Sequence, residues 1–207
     1  MGRVVRLGLL GGTFDPPHIG HLWLAEAAFA QLELDRVLFL PVGEPPHKKD
    51  RLVTAVSHRL AMVKQAVAPF PHFAVDCTDI ERPLPHTTAT LIPLLQKKYA
   101  PACFWLLMGS DSLIDIPNWS QPKELIGRCQ LAVLPRPHYD VDWAVLETAV
   151  PGIHNATTLL EGPQLHLSAT ALRAYMGNGR LPRHLIPTPV LQYITTHHLY
   201  QAQKNPA

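Results

Sequence analysis

Residues 11–22 read GGTFDPPHIGHL, and the rest of the chain is best understood from this stretch. An apolar run, Val4–Leu10, precedes it and predicts a buried strand. The segment that follows, Ile19–Leu32, has the apolar spacing of a helix. The glycine pair predicts a tight turn between them, where the backbone can approach a ligand without a side-chain clash. Strand, turn and helix in this order indicate an α/β protein.

The two histidines of this stretch predict a phosphate site. His18 stands where the helix begins, and His21 lies three residues on, so both share one helix face. The free N–H groups of a helix N-terminus favour an anion. Each imidazole can donate a hydrogen bond to phosphate oxygens whose negative charge grows during phosphoryl or nucleotidyl transfer.

Two other interpretations of the histidines stay open from the residues alone. The pair could simply cap a helix after an ordinary glycine turn. Histidines at i and i+3 can also ligate zinc, but a zinc site needs a third protein ligand, and none is visible nearby in the sequence. The stretch matches neither the P-loop pattern nor the dinucleotide pattern GxGxxG.

Strand and helix patterns alternate along the rest of the chain. Further strands are predicted at Val37–Val42, Phe73–Asp76, Cys103–Met108 and Gln130–Leu134, and around Leu159, Leu160 and Leu165–Leu167. Further helices are predicted at Ser57–Ala68 with Ser57 as N-cap, Thr87–Tyr99 with a bend near Pro93, Pro122–Ile126, Ser168–Met176 and Thr188–Leu199. We expect one domain, 1–207, with a Rossmann-like, doubly wound parallel sheet, helices on both faces, and ligands at the carboxyl ends of the strands. Arg136–Ile153 is the best candidate for a flexible excursion.

Composition excludes several classes of protein. Apolar residues make up 47% of the 207 residues, which is enough for a core. Eighteen basic and 16 acidic residues leave a charge of +2, too weak a field to indicate nucleic-acid or membrane binding. Three cysteines without a CxxC pair argue against a zinc ribbon or disulfide scaffold, and we expect Cys103 and Cys129 to be buried thiols. No signal peptide or membrane span is evident, so we expect a cytoplasmic protein.

The core HxGH of residues 11–22 resembles the hallmark of the nucleotidyltransferase superfamily. The longer form GGTFDPPHxGHL is similar to that of the bacterial nicotinate-mononucleotide adenylyltransferases. Further matches, in family-like order, are Pro45-Pro46-His47-Lys48, Arg59, Gly109–Leu113, Trp119, Leu167–Arg173 and Ile186-Pro187. The resemblance covers nearly the whole chain.

This resemblance implies transfer of AMP from ATP to nicotinate mononucleotide in NAD biosynthesis, with pyrophosphate released. It assigns catalysis to His18, His21 and Arg173. The implied ATP-binding residues are Gly11, Gly12, Thr13, Phe14, His18, Gly20, His21, Gly109, Asp111, Ser168, Thr170 and Arg173. The C-terminal helical part, about 168–202, would complete the ATP site. No carboxylate cage for a protein-held metal is visible in the sequence, so we expect Mg²⁺ to arrive with ATP.

The acceptor side is less well determined by the sequence. The implied substrate-binding residues are Asp15, His47, Lys48, Thr87 and Trp119, with Trp119 stacking on the pyridine ring. This chain departs from the family pattern at His86 and Ala89, which stand where relatives carry Tyr and Asp. Nicotinamide mononucleotide or another phosphorylated acceptor such as phosphopantetheine therefore stays open, as does a non-catalytic nucleotide-binding regulator. A homo-oligomer is also left open.

Overall fold

The computed structural model describes residues 3–43 and 53–201. The strands are β1 Val5–Gly12, β2 Arg36–Pro41, β3 Phe73–Val75, β4 Ala102–Gly109, β5 Gln130–Leu134 and β6 Thr157–Leu159. The helices are α1 Ile19–Gln31, α2 Val56–Val67, α3 Thr78–Glu81, α4 Thr88–Lys98, α5 Ser110–Asp115, α6 Pro122–Arg128, α7 Trp143–Ala149, α8 Ala169–Gly177 and α9 Thr188–Thr196, with a 3-10 turn at Ile116–Asn118. In the described part of the chain, no helix is long and apolar enough to cross a membrane.

All six strands pair in parallel, in the order β3-β2-β1-β4-β5-β6. The order reverses between β1 and β4, which are direct neighbours. In open α/β sheets, ligands bind outside the carboxyl ends of the strands at such a reversal. Here the two strands end at Gly12 and Gly109, so the sheet places the turn of residues 11–22 beside the turn that follows β4. The prediction of a doubly wound parallel sheet is confirmed.

Alternate residues of the central strands enter two separate cores, one on each face of the sheet. Leu9 and Leu38 pack with residues of α4, α5, α6 and α7. Leu10 and Phe39 pack on the opposite face with residues of α1 and α2. Burial on both faces explains why these strands are nearly continuous apolar runs rather than alternating ones.

The last two helices form a third, smaller core against α2. Met62 and Ala66 of α2 contact Leu172 of α8 and Val190 and Ile194 of α9, all of them buried. Because α8 begins at Ala169, this packing carries Ser168 and Arg173 to the neighbourhood of the motif loop that follows β1.

Several predictions of local structure were wrong. Helix α2 begins at Val56 with Ala55 as N-cap, so Ser57 is not the cap. The last strand is Thr157–Leu159 alone. Residues 165–167 form no strand, because Leu165 and Leu167 instead line a crevice beside α1.

Two expectations about burial were also wrong. Cys103 is exposed near the start of β4, whereas Cys129 is buried as expected. The segment Arg136–Ile153 was expected to be a flexible excursion. Instead it contains α7, and its Leu146 and Val150 are buried in the core. Two short helices, α3 and α5, escaped the sequence analysis because one turn of helix has too few residues for a recognisable apolar period.

Candidate active site

The two motif histidines stack on each other at the start of α1. Their ring centroids lie 3.8 Å apart at an interplanar angle of 28°. The backbone N–H of His18 donates a hydrogen bond to Nδ1 of His21 (3.2 Å). Since Nδ1 of His21 accepts, neutral His21 carries its proton on Nε2 and can donate it to a ligand. The prediction that both rings share one helix face is confirmed.

His18 is held in its neutral form. It is 2% exposed, and burial, aided by the positive charge of Arg136, lowers the pKa of His18 to about 4. Gly20 makes room for the ring, because a Cβ there would lie 3.1 Å from His18 Nδ1. Within the described residues, this buried Nδ1 has no hydrogen-bond partner. An unpaired buried nitrogen beside a helix N-terminus is a suitable contact for a bound ligand.

The start of α1 is less open than the sequence suggested. The N–H of Ile19 donates to the carbonyl of Leu185 (3.1 Å), so the fold itself satisfies this group. Phe14 was predicted to bind ATP, but its ring is 2% exposed and lies 5.0 Å from the ring of His21, edge to face. The ring of Phe14 therefore packs against His21 from the core, and the assignment of Phe14 to ATP binding stays a prediction.

Asp15 holds the C-terminal part of the chain against the motif loop. Its side chain is buried and accepts a hydrogen bond from Tyr200 through Oδ1 (2.6 Å). Arg173 donates through Nη1 to the Asp15 carbonyl (2.7 Å) and through Nη2 to Thr170 Oγ1 (3.2 Å). Asp15 was predicted on the substrate side. That role stays a prediction, and in the structure Asp15 contacts Tyr200 and Arg173. Burial and the contact with Asp15 raise the pKa of the Tyr200 hydroxyl.

Arg59 fastens the motif loop to the end of β2. The side chain is 1% exposed. It donates to the carbonyls of Thr13 (2.9 Å), Val42 (2.8 Å), Gly43 (2.9 Å) and Thr54 (2.9 Å). The sequence marked Arg59 only as a match to the family, and gave no sign that its partners would be backbone oxygens from three separate segments.

A second cluster of polar groups follows β4 and β5. Arg136 donates through Nη1 to Asp111 Oδ2 (3.0 Å), and its backbone N–H donates to Ser110 Oγ (2.9 Å). A Cβ at Gly109 would lie 2.5 Å from Asp111 Oδ1 and 2.7 Å from Arg136 Nε, so any larger residue here would displace the Asp111 and Arg136 side chains. Sequence analysis found Gly109 and Asp111 but missed Arg136, whose one signal is its place directly after a strand.

A crevice opens between α1 and the ends of β4 and β5. Its lining consists of Gly20, Trp23, Leu24, Gly109, Leu134, Pro135, Arg136, Leu165 and Leu167. The walls are mainly apolar, with one guanidinium at the rim. Such walls suit a flat, mainly apolar group.

Of the predicted acceptor residues, Thr87 lies at the start of α4, and His86 beside it lies near the turn that follows β2. Thr87 caps α4 by accepting the N–H of Thr90 (3.4 Å). His86 is nearly buried, with Nδ1 3.5 Å from Asp79 Oδ2, and the same carboxylate accepts the N–H of Gly43 (3.1 Å). Asp79 therefore brings His86 next to Gly43, in the turn that follows β2.

The remaining acceptor predictions have different outcomes. Trp119 is half-buried after the 3-10 turn, and its Nε1 donates to Asp115 Oδ2 (3.2 Å). The predictions for His47 and Lys48 lie outside the described residues. In residues 3–43 and 53–201, no group of three or more His, Cys, Asp or Glu side chains could hold a metal ion, so His18 and His21 have no third ligand of these types there.

Comparisons with known proteins agree on one family. A family model described as cytidylyltransferase-like matches residues 9–175. A Thermomicrobium roseum protein named "Probable nicotinate-nucleotide adenylyltransferase" is 41% identical over 196 residues, 95% of this chain and 92% of its own. One from Herpetosiphon aurantiacus with the same name is 37% identical over 197 residues, 95% and 99% of the two chains. The solved Plasmodium falciparum nicotinic acid mononucleotide adenylyltransferase complexed with NaAD has a similar fold, with a TM-score of 0.77 at 17% identity, over 95% of this chain and 97% of that chain.

Proposed function

This chain belongs to the nicotinate-nucleotide adenylyltransferases of the cytidylyltransferase-like family, and from that premise we propose how its own residues perform the reaction. A phosphate oxygen of nicotinate mononucleotide attacks the α-phosphorus of ATP. The bond from that phosphorus to the bridging oxygen of the β-phosphate breaks, and pyrophosphate leaves. The observation that supports this assignment best is the stacked, neutral pair His18 and His21 at the reversal point of the sheet.

His18 and His21 hold the reacting phosphate. A neutral imidazole with its proton aimed at the site donates a hydrogen bond to non-bridging oxygens, whose charge grows in the transition state. His21 has that proton on Nε2, because its Nδ1 accepts from the backbone. Fixed donors in a partly dry site stabilise the transition state without reorganising.

Arg173 and the start of α8 hold the outgoing pyrophosphate. The guanidinium is already oriented by Asp15 and Thr170, and a fork of N–H donors suits phosphate oxygens. Ser168 caps α8 by accepting the N–H of Ala171 (3.2 Å), which leaves its hydroxyl proton for an oxygen of ATP. In this way residues 168–202 complete the ATP site of a single domain.

The chemistry needs no covalent intermediate and no general base. The attacking phosphate is an anion at neutral pH, so positioning and charge stabilisation supply the rate. In this proposal Mg²⁺ enters as part of the ATP substrate complex, since the described His, Cys, Asp and Glu side chains form no group that could hold a metal ion.

On the nucleoside side of ATP, Asp111 accepts hydrogen bonds from ribose hydroxyls and the crevice beside α1 takes the adenine. On the acceptor side, Thr87 and His86 lie near the pyridine carboxylate and Trp119 stacks on the ring, with His47 and Lys48 at the phosphate. His86, which stands where relatives carry tyrosine, can donate a ring N–H to the carboxylate, and a hydrogen bond to a charged acceptor favours the acid over the amide.

A panel of acceptors tests the assignment. Purified protein with Mg²⁺ and ATP is given nicotinate mononucleotide, nicotinamide mononucleotide or phosphopantetheine, and dinucleotide and pyrophosphate are quantified by chromatography. We expect the highest kcat/KM with nicotinate mononucleotide. Higher kcat/KM with either other acceptor identifies a sister adenylyltransferase, and calorimetric binding of ATP without any turnover identifies a non-catalytic regulator.

A further inference from the structure

We propose that Arg136 is a positioning residue that acts through Asp111: its guanidinium fixes one carboxylate oxygen, and the other, packed against Gly109 in the wall of the crevice, is thereby kept as an acceptor for a nucleotide hydroxyl. The inference rests on the proposed function, because it assumes that the crevice receives the nucleoside half of ATP. It adds a residue that the motifs did not identify and a reason for its place after β5.

The two oxygens of Asp111 have different surroundings. Oδ2 receives the hydrogen bond from Arg136 Nη1 at 3.0 Å. Oδ1 is buried and, in the described part of the chain, has no partner. A buried carboxylate oxygen without a donor is costly unless a ligand supplies one. The donor must be a neutral hydroxyl or N–H, because a phosphate oxygen would be repelled.

Arg136 is itself held at both ends. Its backbone N–H is bound by the hydroxyl of Ser110, a residue that is 2% exposed. Its side chain lies over Gly109, close enough that a Cβ there would meet Nε at 2.7 Å and Cδ at 2.9 Å. Since β4 and β5 pair up to Gly109 and Leu134, the turns that follow these strands are locked side by side, and Arg136 has little freedom to leave Asp111.

This arrangement has a direct consequence for ATP. The ion pair with Arg136 holds the Asp111 side chain in one rotamer, and a hydrogen bond to a charged acceptor is stronger than one to a neutral acceptor. Without the guanidinium, the carboxylate can rotate and Oδ1 loses its fixed direction. Arg136 therefore governs how strongly the protein distinguishes a ribose hydroxyl from a hydrogen atom at the same position.

The test compares ATP with 2′-deoxy-ATP and 3′-deoxy-ATP, with nicotinate mononucleotide as acceptor. We expect wild-type protein to prefer ATP over at least one deoxy analogue by about 10-fold in kcat/KM, the size of a hydrogen bond to a charged group. Asp111→Ala should remove that preference. Arg136→Met, which keeps the apolar stem, and Arg136→Ala should both reduce it to about 2-fold or less, while KM for nicotinate mononucleotide stays within about 2-fold of wild type.

The matched control is Arg128→Met, which removes an exposed guanidinium at the end of α6 and should retain the full preference. Arg136→Lys keeps a cation and one donor, so it should restore part of the preference. Thermal unfolding checks that each variant is folded. If only one of Arg136→Met and Arg136→Ala folds, the ATP preference of that variant is the test. A wild-type preference in that variant overturns the proposal, even if its kcat falls, because a uniform loss would indicate a direct phosphate contact instead.

The inference can be separated from the proposed function. If wild-type protein makes no dinucleotide, the proposed function fails. The preference for ATP over its deoxy analogues is then measured by calorimetry, as the ratio of the dissociation constants of their Mg²⁺ complexes. Loss of the ATP preference on changing Arg136 still supports the role of Arg136, and an unchanged preference overturns it.

Discussion

The histidine pair owes its chemistry to its surroundings more than to its spacing. His18 is 2% exposed, and burial together with the nearby charge of Arg136 keeps it neutral. A backbone N–H sets the tautomer of His21. Two neutral rings can stack at 3.8 Å, whereas two imidazolium ions would repel each other at that distance. In the proposed reaction, the pair can therefore donate hydrogen bonds to phosphate at neutral pH without first taking up protons.

Loss of either ring should lower the rate of AMP transfer. We expect His18→Ala and His21→Ala each to reduce kcat by about 10²–10³-fold, the usual effect of removing one donor to a developing negative charge. The measurement is pyrophosphate release at saturating ATP and nicotinate mononucleotide. His184→Ala, at an exposed position between α8 and α9, should leave kcat within about 2-fold of wild type.

The neutral state of His18 should also appear in the stability of the protein. The pKa is about 4 in the folded protein and 6.5 when unfolded, so between these values only the unfolded chain is protonated. Stability is then highest above pH 6.5 and falls as the pH drops toward 4, by about 2–3 kcal/mol at pH 4.5 from this group. Urea unfolding of wild type and His18→Gln at pH 7.5 and 4.5 measures this contribution. An equal pH dependence in both proteins contradicts it.

At the scale of elements, α7 and α8 each begin with a side chain that caps the helix, but the two helices begin at different places in the fold. Ser168 caps α8 beside the motif loop through one hydrogen bond. Asp142 caps α7, near the other edge of the sheet, by accepting from Ala144 and Val145 (3.1 Å each). The two caps form a natural comparison, since both stabilise a helix and only one of them faces the proposed ATP site.

Removing each cap should separate stability from function. We expect Ser168→Ala and Asp142→Ala each to lower the free energy of unfolding by about 1 kcal/mol. Only Ser168→Ala should raise KM for ATP, by about 3- to 10-fold, because it also loses a donor to the triphosphate. Urea unfolding and steady-state kinetics on both variants give the answer. An equal KM for ATP in both would assign Ser168 to helix capping alone.

The elements also show where sequence reasoning succeeds and where it does not. Long apolar periods gave β5 at its observed bounds, Gln130–Leu134, and α1 to within one residue. The predicted start of α2 was wrong because Ser57, a favourable capping residue, lies inside the helix. The observed N-cap is Ala55. Leu165 and Leu167 alternate like a strand, yet they face a crevice with no strand to pair with. Such choices depend on tertiary packing that local pattern does not contain.

At the scale of the whole molecule, a few buried polar side chains join distant parts of the chain around the site. Arg59 binds four carbonyls from three segments, and Tyr200 reaches Asp15 across 185 residues of sequence. The motif histidines could be predicted because they are neighbours in sequence. Arg136 and Tyr200 could not, because their partners are brought to them only by strand order and helix packing.

Replacing Arg59 should loosen the fold as a whole. We expect Arg59→Met to lower the free energy of unfolding by at least about 3 kcal/mol, because four backbone carbonyls lose their donor at once. Arg59→Lys should recover little of this loss, since an ammonium cannot reproduce the planar fork. Urea unfolding measures both, with Lys64→Met on the exposed face of the same helix as the control. A loss below about 1 kcal/mol would contradict the role given to Arg59.

The central claim is that this chain transfers AMP to nicotinate mononucleotide by means of the histidine pair. The most direct test measures nicotinate adenine dinucleotide and pyrophosphate together, from ATP, Mg²⁺ and nicotinate mononucleotide, with wild-type protein and His18→Ala side by side. We predict equal amounts of the two products with wild type and a rate at least about 100-fold lower with His18→Ala. Absence of the dinucleotide with wild type, or an unchanged rate in the variant, would contradict the claim.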